Sequence, residues 1–167
     1  GVLNIIHGQH DTVNSLCDAP EIKAISFVGG DRAGKHIYSR ASNNGKRVQG
    51  NLGAKNHAVI MPDCNKDFTL NQIIGASFGA AGQRCMALSV AIFVGSSKKW
   101  INDLVEKSKT LNVNGGLEKN VDLGPVISIE SKERILNIIN DVEKNDKDSN
   151  ILLDGRNIKI ENTSDAQ

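Results

Sequence analysis

Apolar β-branched runs that stop at glycine or proline alternate along this chain with stretches whose apolar residues recur at helical spacing. That alternation predicts an α/β protein with a parallel sheet. Two further observations agree. The runs Ile22–Val28 and His57–Met61 each lead through a break into a helical pattern, the order that parallel strands joined by crossover helices require. The 167 residues suffice for about one domain and carry no internal repeat or low-complexity tract.

The elements follow in order. Gly1–Gly8 (GVLNIIHG) reads as a buried strand closed by glycine. Asp11–Cys17 reads as a helix with Asp11 or Thr12 as cap, and Asp18-Ala19-Pro20 breaks it. Ile22–Val28 is a strand that runs into Gly29-Gly30, and Asp31 to Ser42 is a helix with Ala33, Ile37, Tyr38 and Ala41 on one stripe. Lys46–Leu52 and His57–Met61 are short extended segments, the second ended by Pro62-Asp63. Phe68–Gly82 carries Leu70, Ile73, Ile74, Ser77 and Phe78 at helical spacing among small residues, which suits a helix buried on most of its surface. Leu88–Val94 is a strand closed by Gly95. Lys98–Leu111 is an amphipathic helix with Trp100, Ile101, Leu104 and Val105 inward, and Ile129–Val142 is another, capped by Ser128. Ile151-Leu152-Leu153, Asp154-Gly155 and Ile158–Ile160 read as a hairpin with a tight turn. Glu143–Ser149 reads as a solvated helix end and the stretch after Ile160 is polar.

The charge balance narrows the function. Lys plus Arg is 20 and Asp plus Glu is 19, so the basic excess of a dedicated nucleic-acid binder is absent. No apolar run approaches the ~20 residues of a membrane helix, and Gly1–Gly8 lacks the basic opening of a signal peptide. The chain does not begin with Met, so it is expected to be a processed product or a piece of something longer. Cys17, Cys64 and Cys85 are odd in number and widely spaced, without a CxxC pair or a histidine cluster. They fit neither a zinc site nor a disulfide framework, and point to a reducing compartment with room for one catalytic thiol.

Two segments carry chemistry. Gly29-Gly30-Asp31-Arg32-Ala33-Gly34-Lys35-His36 joins a strand to a helix. It nearly fits the P-loop pattern, but His36 stands where Ser or Thr should hold magnesium, and Val59-Ile60-Met61-Pro62-Asp63 is only an approximate Walker B strand. Helix N–H groups after a glycine turn suit a phosphate or pyrophosphate; an ordinary strand-to-helix turn uses glycine in the same way. The second segment, Phe78-Gly79-Ala80-Ala81-Gly82-Gln83-Arg84-Cys85-Met86-Ala87, places Arg84 beside Cys85, and a cation favours the thiolate. A free cysteine is usually structural, and these residues leave both roles open for Cys85. Cys17 reads as a small buried hydrophobe and Cys64 has no base nearby in sequence. None of His7, His10, His36 and His57 lies in a segment that marks it as a base, and Trp100 reads as core.

FVGGDRAG, NLGAKNHAVIMPD and FGAAGQRCMALS, in that order, resemble the aldehyde dehydrogenase superfamily. From Asn51 to Cys85 is 85 − 51 = 34 positions, the interval that family keeps between its glutamate and its catalytic cysteine. Leu123-Gly124-Pro125 matches a later family segment, and the likeness spans roughly residues 1–160. GAKNHAVIMPD and AAGQRCMALS are most similar to the CoA-acylating branch that acts on methylmalonate semialdehyde.

The resemblance implies an α/β chain, with 1–50 the later part of a Rossmann-like NAD-binding domain and 51–167 the first part of the catalytic domain. It implies Cys85 as nucleophile, Gly29, Gly30, Gly34 and Leu52 beside NAD, and Arg84 on the substrate carboxylate. Gly30 stands where most relatives carry Ser, so a hydroxyl contact is lost. Asn51 stands where hydrolytic members carry the glutamate that activates water. A carboxamide accepts no proton at neutral pH, so a thioacyl enzyme should last until coenzyme A arrives. The oxyanion would be held by the Cys85 N–H and by an asparagine upstream of this chain. The implied reaction converts methylmalonate semialdehyde to propionyl-CoA, or malonate semialdehyde to acetyl-CoA, in valine and pyrimidine catabolism. The compartment is the mitochondrial matrix in a eukaryote and the cytoplasm otherwise, and the assembly is a homotetramer. Residues the family needs at both ends are absent, so the 167-residue chain alone is expected to be inactive. The rival readings are a hydrolytic aldehyde dehydrogenase using another base, disfavoured because no Glu lies between residues 22 and 105; a P-loop-like nucleotide module on Gly29–His36; and a non-catalytic binding relative.

Overall fold

The structure is a computed structural model and describes residues 1–158 and 160. The chain divides into two compact units, Gly1–Ala54 and Lys55–Gln167, and among the described residues each contains one two-stranded parallel sheet.

In the first unit β1 (Ala24–Val28) and β2 (Arg47–Asn51) pair in the register Ala24↔Arg47 to Val28↔Asn51. Helix α1 (His10–Asp18) precedes β1, and α2 (Asp31–Asn43) crosses between the strands. Cys17, Ile37 and Ala41 form the core, with Val13, Ile25, Phe27 and Val48 against them. Gly45 ends α2 at a φ of 71°, a left-handed stop that glycine adopts freely. Arg40 donates from Nε and Nη2 to the two Asp18 oxygens at 2.8 and 2.6 Å, tying α2 to the end of α1. Those bonds hold the Asp18 carboxyl below the usual carboxylate range. Lys46 is buried, and its ammonium donates to the Ala19 and Ile22 carbonyls just beyond α1, the first of which also accepts from the Ile22 N–H.

The second unit is a β–α–β crossover followed by two helices. β3 (Asn56–Ile60) and β4 (Leu88–Phe93) pair in parallel, with the register slipping between Asn56 and His57. α3 (Lys66–Phe78) joins them, capped by Asn65, whose Oδ1 accepts from the Phe68 N–H at 3.0 Å. A 3₁₀ stretch, Gly95–Trp100, leads into α4 (Ile101–Lys109), and α5 (Ile129–Asn145) follows a loop. Ile60, Leu70 and Ile73 are the core, with Leu88, Phe93, Trp100 and Leu104 among the residues packed on it. The buried Ser97 hydroxyl lies 2.9 Å from the Ile60 carbonyl and 2.7 Å from that of Val94, fixing the start of the 3₁₀ stretch to the strand ends.

Most expected elements form, and the α/β class holds. Ser128 caps α5 as read, accepting from the Ser131 N–H at 3.2 Å. Other expectations are corrected. Gly1–Gly8 is not a buried strand: it is irregular and exposed, because an extended segment becomes a strand only when a neighbour takes its hydrogen bonds, and no described strand does so. The α1 cap is Gln9, ahead of Asp11 and Thr12, without a side-chain bond. On α2 the buried positions are Gly34, Ile37 and Ala41, while Ala33 and Tyr38 are exposed. α3 stops at Phe78 rather than Gly82, and it buries one stripe through Leu70 and Ile73 while Phe68 stays exposed. No hairpin forms over the described part of 151–160; Gly155 only closes a turn, with the Ile158 N–H 3.4 Å from its carbonyl. Lys159 and Glu161–Gln167, the remainder of that expectation, lie outside the described residues.

Leu70 is wholly buried between α3 and the sheet. Leu70→Ala is expected to destabilise the second unit by about 2–5 kcal/mol, the usual cost of lost transfer energy plus a cavity. Denaturant unfolding measures it, and a loss below ~1 kcal/mol would contradict this packing.

Candidate active site

Two loops hold the candidate residues, one in each unit. In the first, Gly29 and Gly30 follow β1 and lead into α2. The Gly29 N–H donates to the Asn51 carbonyl at 3.2 Å, continuing the β1–β2 ladder into the turn. Gly30 is the N-cap, with no side-chain cap bond and no atom within 4 Å of where a Cβ would stand. The Cβ side of Gly30 is therefore open, and a negatively charged group beside the first turn of α2 is favoured by the helix dipole. Asp31, on the first turn, directs its carboxylate elsewhere, accepting from the Gly53 N–H at 2.8 Å. Beside Gly30 an open pocket of about 590 Å³ is lined mainly by apolar groups, among them Val13, Phe27, Ala33 and Ile37, with His10 and His36 at its polar edge.

Gly34 and Leu52 come together. A Cβ on Gly34 would stand 2.1 Å from Leu52 Cδ2, so the glycine is what lets Leu52 lie on the helix. Asn51 is exposed at the end of β2, and its carboxamide has no hydrogen-bond partner among the described residues. His36 is engaged with α1: its Nε2 lies 2.7 Å from Asn14 Oδ1 and its ring sits 5.2 Å from that of His10. It is thus committed to packing at the position where a P-loop needs a magnesium-binding hydroxyl.

The second loop connects α3 to β4. Gly79 begins a 3₁₀ turn to Gly82 in which Ala80 and Ala81 hold φ of 52° and 51°, followed by Gly82 at 70°. Left-handed backbone costs an alanine about 1–2 kcal/mol per residue, so neighbouring contacts must hold it. Gln83 supplies them: its N–H and its Nε2 both donate to the Ala80 carbonyl at 3.0 Å, and its Oε1 accepts from the Ile127 N–H at 2.9 Å.

Cys85 then occupies a β-turn closed by the Ala87 N–H on the Arg84 carbonyl at 3.1 Å. It is an exposed free thiol, and its N–H has no acceptor among the described residues. Arg84 folds back over Gly79, where a Cβ would stand 2.6 Å from Nη1, and its guanidinium has no acceptor among the described residues. Cys17 is buried and Cys64 half-buried, with Thr69 Oγ1 donating to the Cys64 sulfur at 3.3 Å. Burial first, then the Asp18 charge, pushes the Cys17 thiol up.

Two residues at this site escape sequence reasoning. Asn56 donates from Nδ2 to the carbonyls of Cys85 at 2.8 Å and Ala87 at 2.9 Å. Gln83, read only as part of a motif, tethers the loop to Ile127. Both contacts bridge residues far apart in the chain, and only the asparagine beside a strand start hinted at the first.

The aldehyde dehydrogenase family model matches residues 1–166, and the chain belongs to that family. It is 61% identical over 160 residues to the mitochondrial methylmalonate-semialdehyde/malonate-semialdehyde dehydrogenase [acylating] of Mus musculus, covering 96% of this chain and 30% of that protein. A methylmalonate-semialdehyde dehydrogenase crystal structure from Oceanimonas doudoroffii overlays with a TM-score of 0.79 at 41% identity, over 90% of this chain and 31% of that one. A Sinorhizobium meliloti chain assigned to the same activity and solved with NAD overlays at 0.83 with 37% identity, over 90% and 31%. This chain thus spans about 30% of the length of the relatives it matches.

Exposure orders the thiols. Iodoacetamide at neutral pH is expected to label Cys85 first, Cys64 more slowly and Cys17 last, because only the accessible thiolate reacts. Peptide mapping reads the order, and early labelling of Cys17 would contradict the burial.

Proposed function

We propose that this chain is the part of an NAD-dependent, CoA-acylating semialdehyde dehydrogenase that carries the nucleophile and part of the cofactor site. Residues 1–50 belong to its NAD-binding domain and 51–167 to its catalytic domain. The substrate is methylmalonate semialdehyde or malonate semialdehyde, the product propionyl-CoA or acetyl-CoA. The observation that carries this reading is the combination, in one chain of this family, of an exposed thiol at Cys85 with a carboxamide at Asn51. The names of the mouse relative and of the two solved structures support the substrate class, and the first adds the acylating step and the compartment.

The glycine loop fits the cofactor. The uncapped N-terminus of α2 and the open space at Gly30 suit a pyrophosphate, and the apolar pocket beside it suits a flat purine. Leu52 and Gly34 shape the same turn.

Cys85 Sγ attacks the aldehyde carbon and forms a C–S bond. The free Cys85 N–H donates to the oxyanion. Arg84 offers its unpaired guanidinium to the substrate carboxylate, a partner it can hold through two bonds. Bound NAD⁺ supplies the hydride acceptor that turns the Cys85 adduct into a thioester. Asn51 leaves water unactivated, because its carboxamide takes no proton. The methylmalonyl group loses CO₂ and takes up a proton while bound to Cys85. The coenzyme A thiolate then attacks the thioester, and Cys85 leaves as a thiolate. The compartment proposed is the mitochondrial matrix in a eukaryote, the cytoplasm otherwise, and the assembly a homotetramer serving valine and pyrimidine breakdown.

The test follows NADH formation from methylmalonate semialdehyde by the full-length polypeptide that carries these residues, with and without coenzyme A. Strong dependence on coenzyme A with propionyl-CoA as product is expected; equal rates without it, giving free acid, would overturn the reading. Asn51→Glu is expected to raise free-acid formation in the absence of coenzyme A by about 10²-fold, the lower end of the 10²–10⁴ that a positioned general base contributes.

A further inference from the structure

We propose that Asn56 is a positioning residue for the nucleophile: its carboxamide holds the Cys85 turn so that the Cys85 N–H stays free and the thiol stands outward. The proposal rests on the reading of Cys85 as nucleophile. Three observations carry it. Asn56 Nδ2 lies 2.8 Å from the Cys85 carbonyl and 2.9 Å from the Ala87 carbonyl. Both partners are acceptors only, so the amide must present its two hydrogens to them and its orientation is fixed by chemistry. Among the described residues, no other side-chain hydrogen bond reaches residues 84–87. The tether from Gln83 to Ile127 holds the loop on its upstream side, and the Cys85 side depends on Asn56. Last, the β3–β4 register slips between Asn56 and His57, so that Asn56 faces Leu88 and His57 faces Val90. Such an irregularity re-aims a side chain at a strand end, and here it accompanies a carboxamide turned onto the incoming turn.

The carbonyls of a β-turn and its unpaired N–H groups belong to the same peptide planes. Fixing the Cys85 carbonyl fixes the plane that it shares with the Met86 N–H, and fixing the Ala87 carbonyl holds the far end of the turn at the start of β4; the Cys85 N–H shares its plane with the Arg84 carbonyl, which the Ala87 N–H holds and so ties to the same anchored end. The turn cannot then roll. The exposed loop offers little packing to do this instead, because residues 82–86 are all exposed.

Asn56→Asp keeps the shape but removes both donors and sets a carboxylate against two carbonyls. Asn56→Ala removes the group. Asn56→Ser keeps one short donor. If Asn56 acts by donation, kcat in the full-length polypeptide falls about 10–100-fold for Asn56→Asp, the range seen when supporting hydrogen bonds are lost, less for Asn56→Ala and least for Asn56→Ser. The aldehyde KM stays within about threefold. If Asn56 merely fills space, the order reverses and the isosteric Asn56→Asp is the mildest, which overturns the proposal.

Hydrogen exchange reads the turn without turnover. In Asn56→Asp the Ala87 amide, bonded to Arg84, is expected to lose at least about tenfold in protection while amides around Leu70 keep theirs. Unchanged Ala87 exchange overturns the proposal whatever the activity shows. A wild-type polypeptide that makes no NADH overturns the functional reading instead, and leaves the exchange experiment to decide on Asn56.

Discussion

The parallel pairing of β3 and β4 is the constraint on which the candidate site depends. Parallel neighbours begin at the same edge of their sheet, so the chain leaving α3 must return to the edge where β3 began. Asn56 opens β3 and Leu88 opens β4 opposite it, and the turn that holds Cys85 lies immediately before Leu88. Cys85, the proposed nucleophile, therefore sits where strands start. The glycine loop follows the other rule. It leaves the carboxyl end of β1 and enters a helix, the usual place for a phosphate in an α/β fold. One chain thus uses both kinds of connection: the one after a strand leads into the N–H groups of a helix start, and the one before a strand presents a thiol.

That placement explains why the loop between α3 and β4 is irregular. A helix that simply continued through Gly82 would overshoot the sheet edge, and the small residues there permit an abrupt stop. Ala80 and Ala81 sit in the left-handed region, which is not where alanine prefers to be. Two donors from Gln83 converge on the Ala80 carbonyl and hold it there. Gly79 contributes differently, since its missing side chain is the space that the Arg84 guanidinium occupies. The residues that looked in sequence like room for a ligand are partly room for the protein's own arginine.

Legibility in the sequence followed the range of the interactions. Ser128 is readable as a cap because its partner Ser131 is three residues away. β1 is readable because Gly29-Gly30 ends it, and α4 because Leu104 repeats the inward stripe of Trp100. Gly1–Gly8 and Ile151–Ile160 have the composition of strands, but pairing decides a strand, and composition says nothing of a partner. The stripe of α3 was overread for a similar reason: small apolar residues allow burial on every side, while within this chain β3, β4 and α4 cover one side. Cys85 stood out by its neighbours in sequence; Asn56 did not, because its contacts lie 29 and 31 positions along the chain.

Asparagine appears at two places where its neutrality matters, and for opposite reasons. At position 51 the carboxamide has no partner among the described residues, and on the proposed reading what counts is the proton it cannot take. At position 56 the carboxamide is fully engaged, and what counts is the pair of hydrogens it can give. A carboxylate would invert both situations. At 51 it would introduce a base able to activate water against the thioester; at 56 it would set negative charge against two carbonyl dipoles beside the thiol. A thioester that must outlast water needs a steady turn to hold it and no base to destroy it. On the proposed reading, Asn51 supplies no such base and Asn56 steadies the turn, and neither side chain adds a charge.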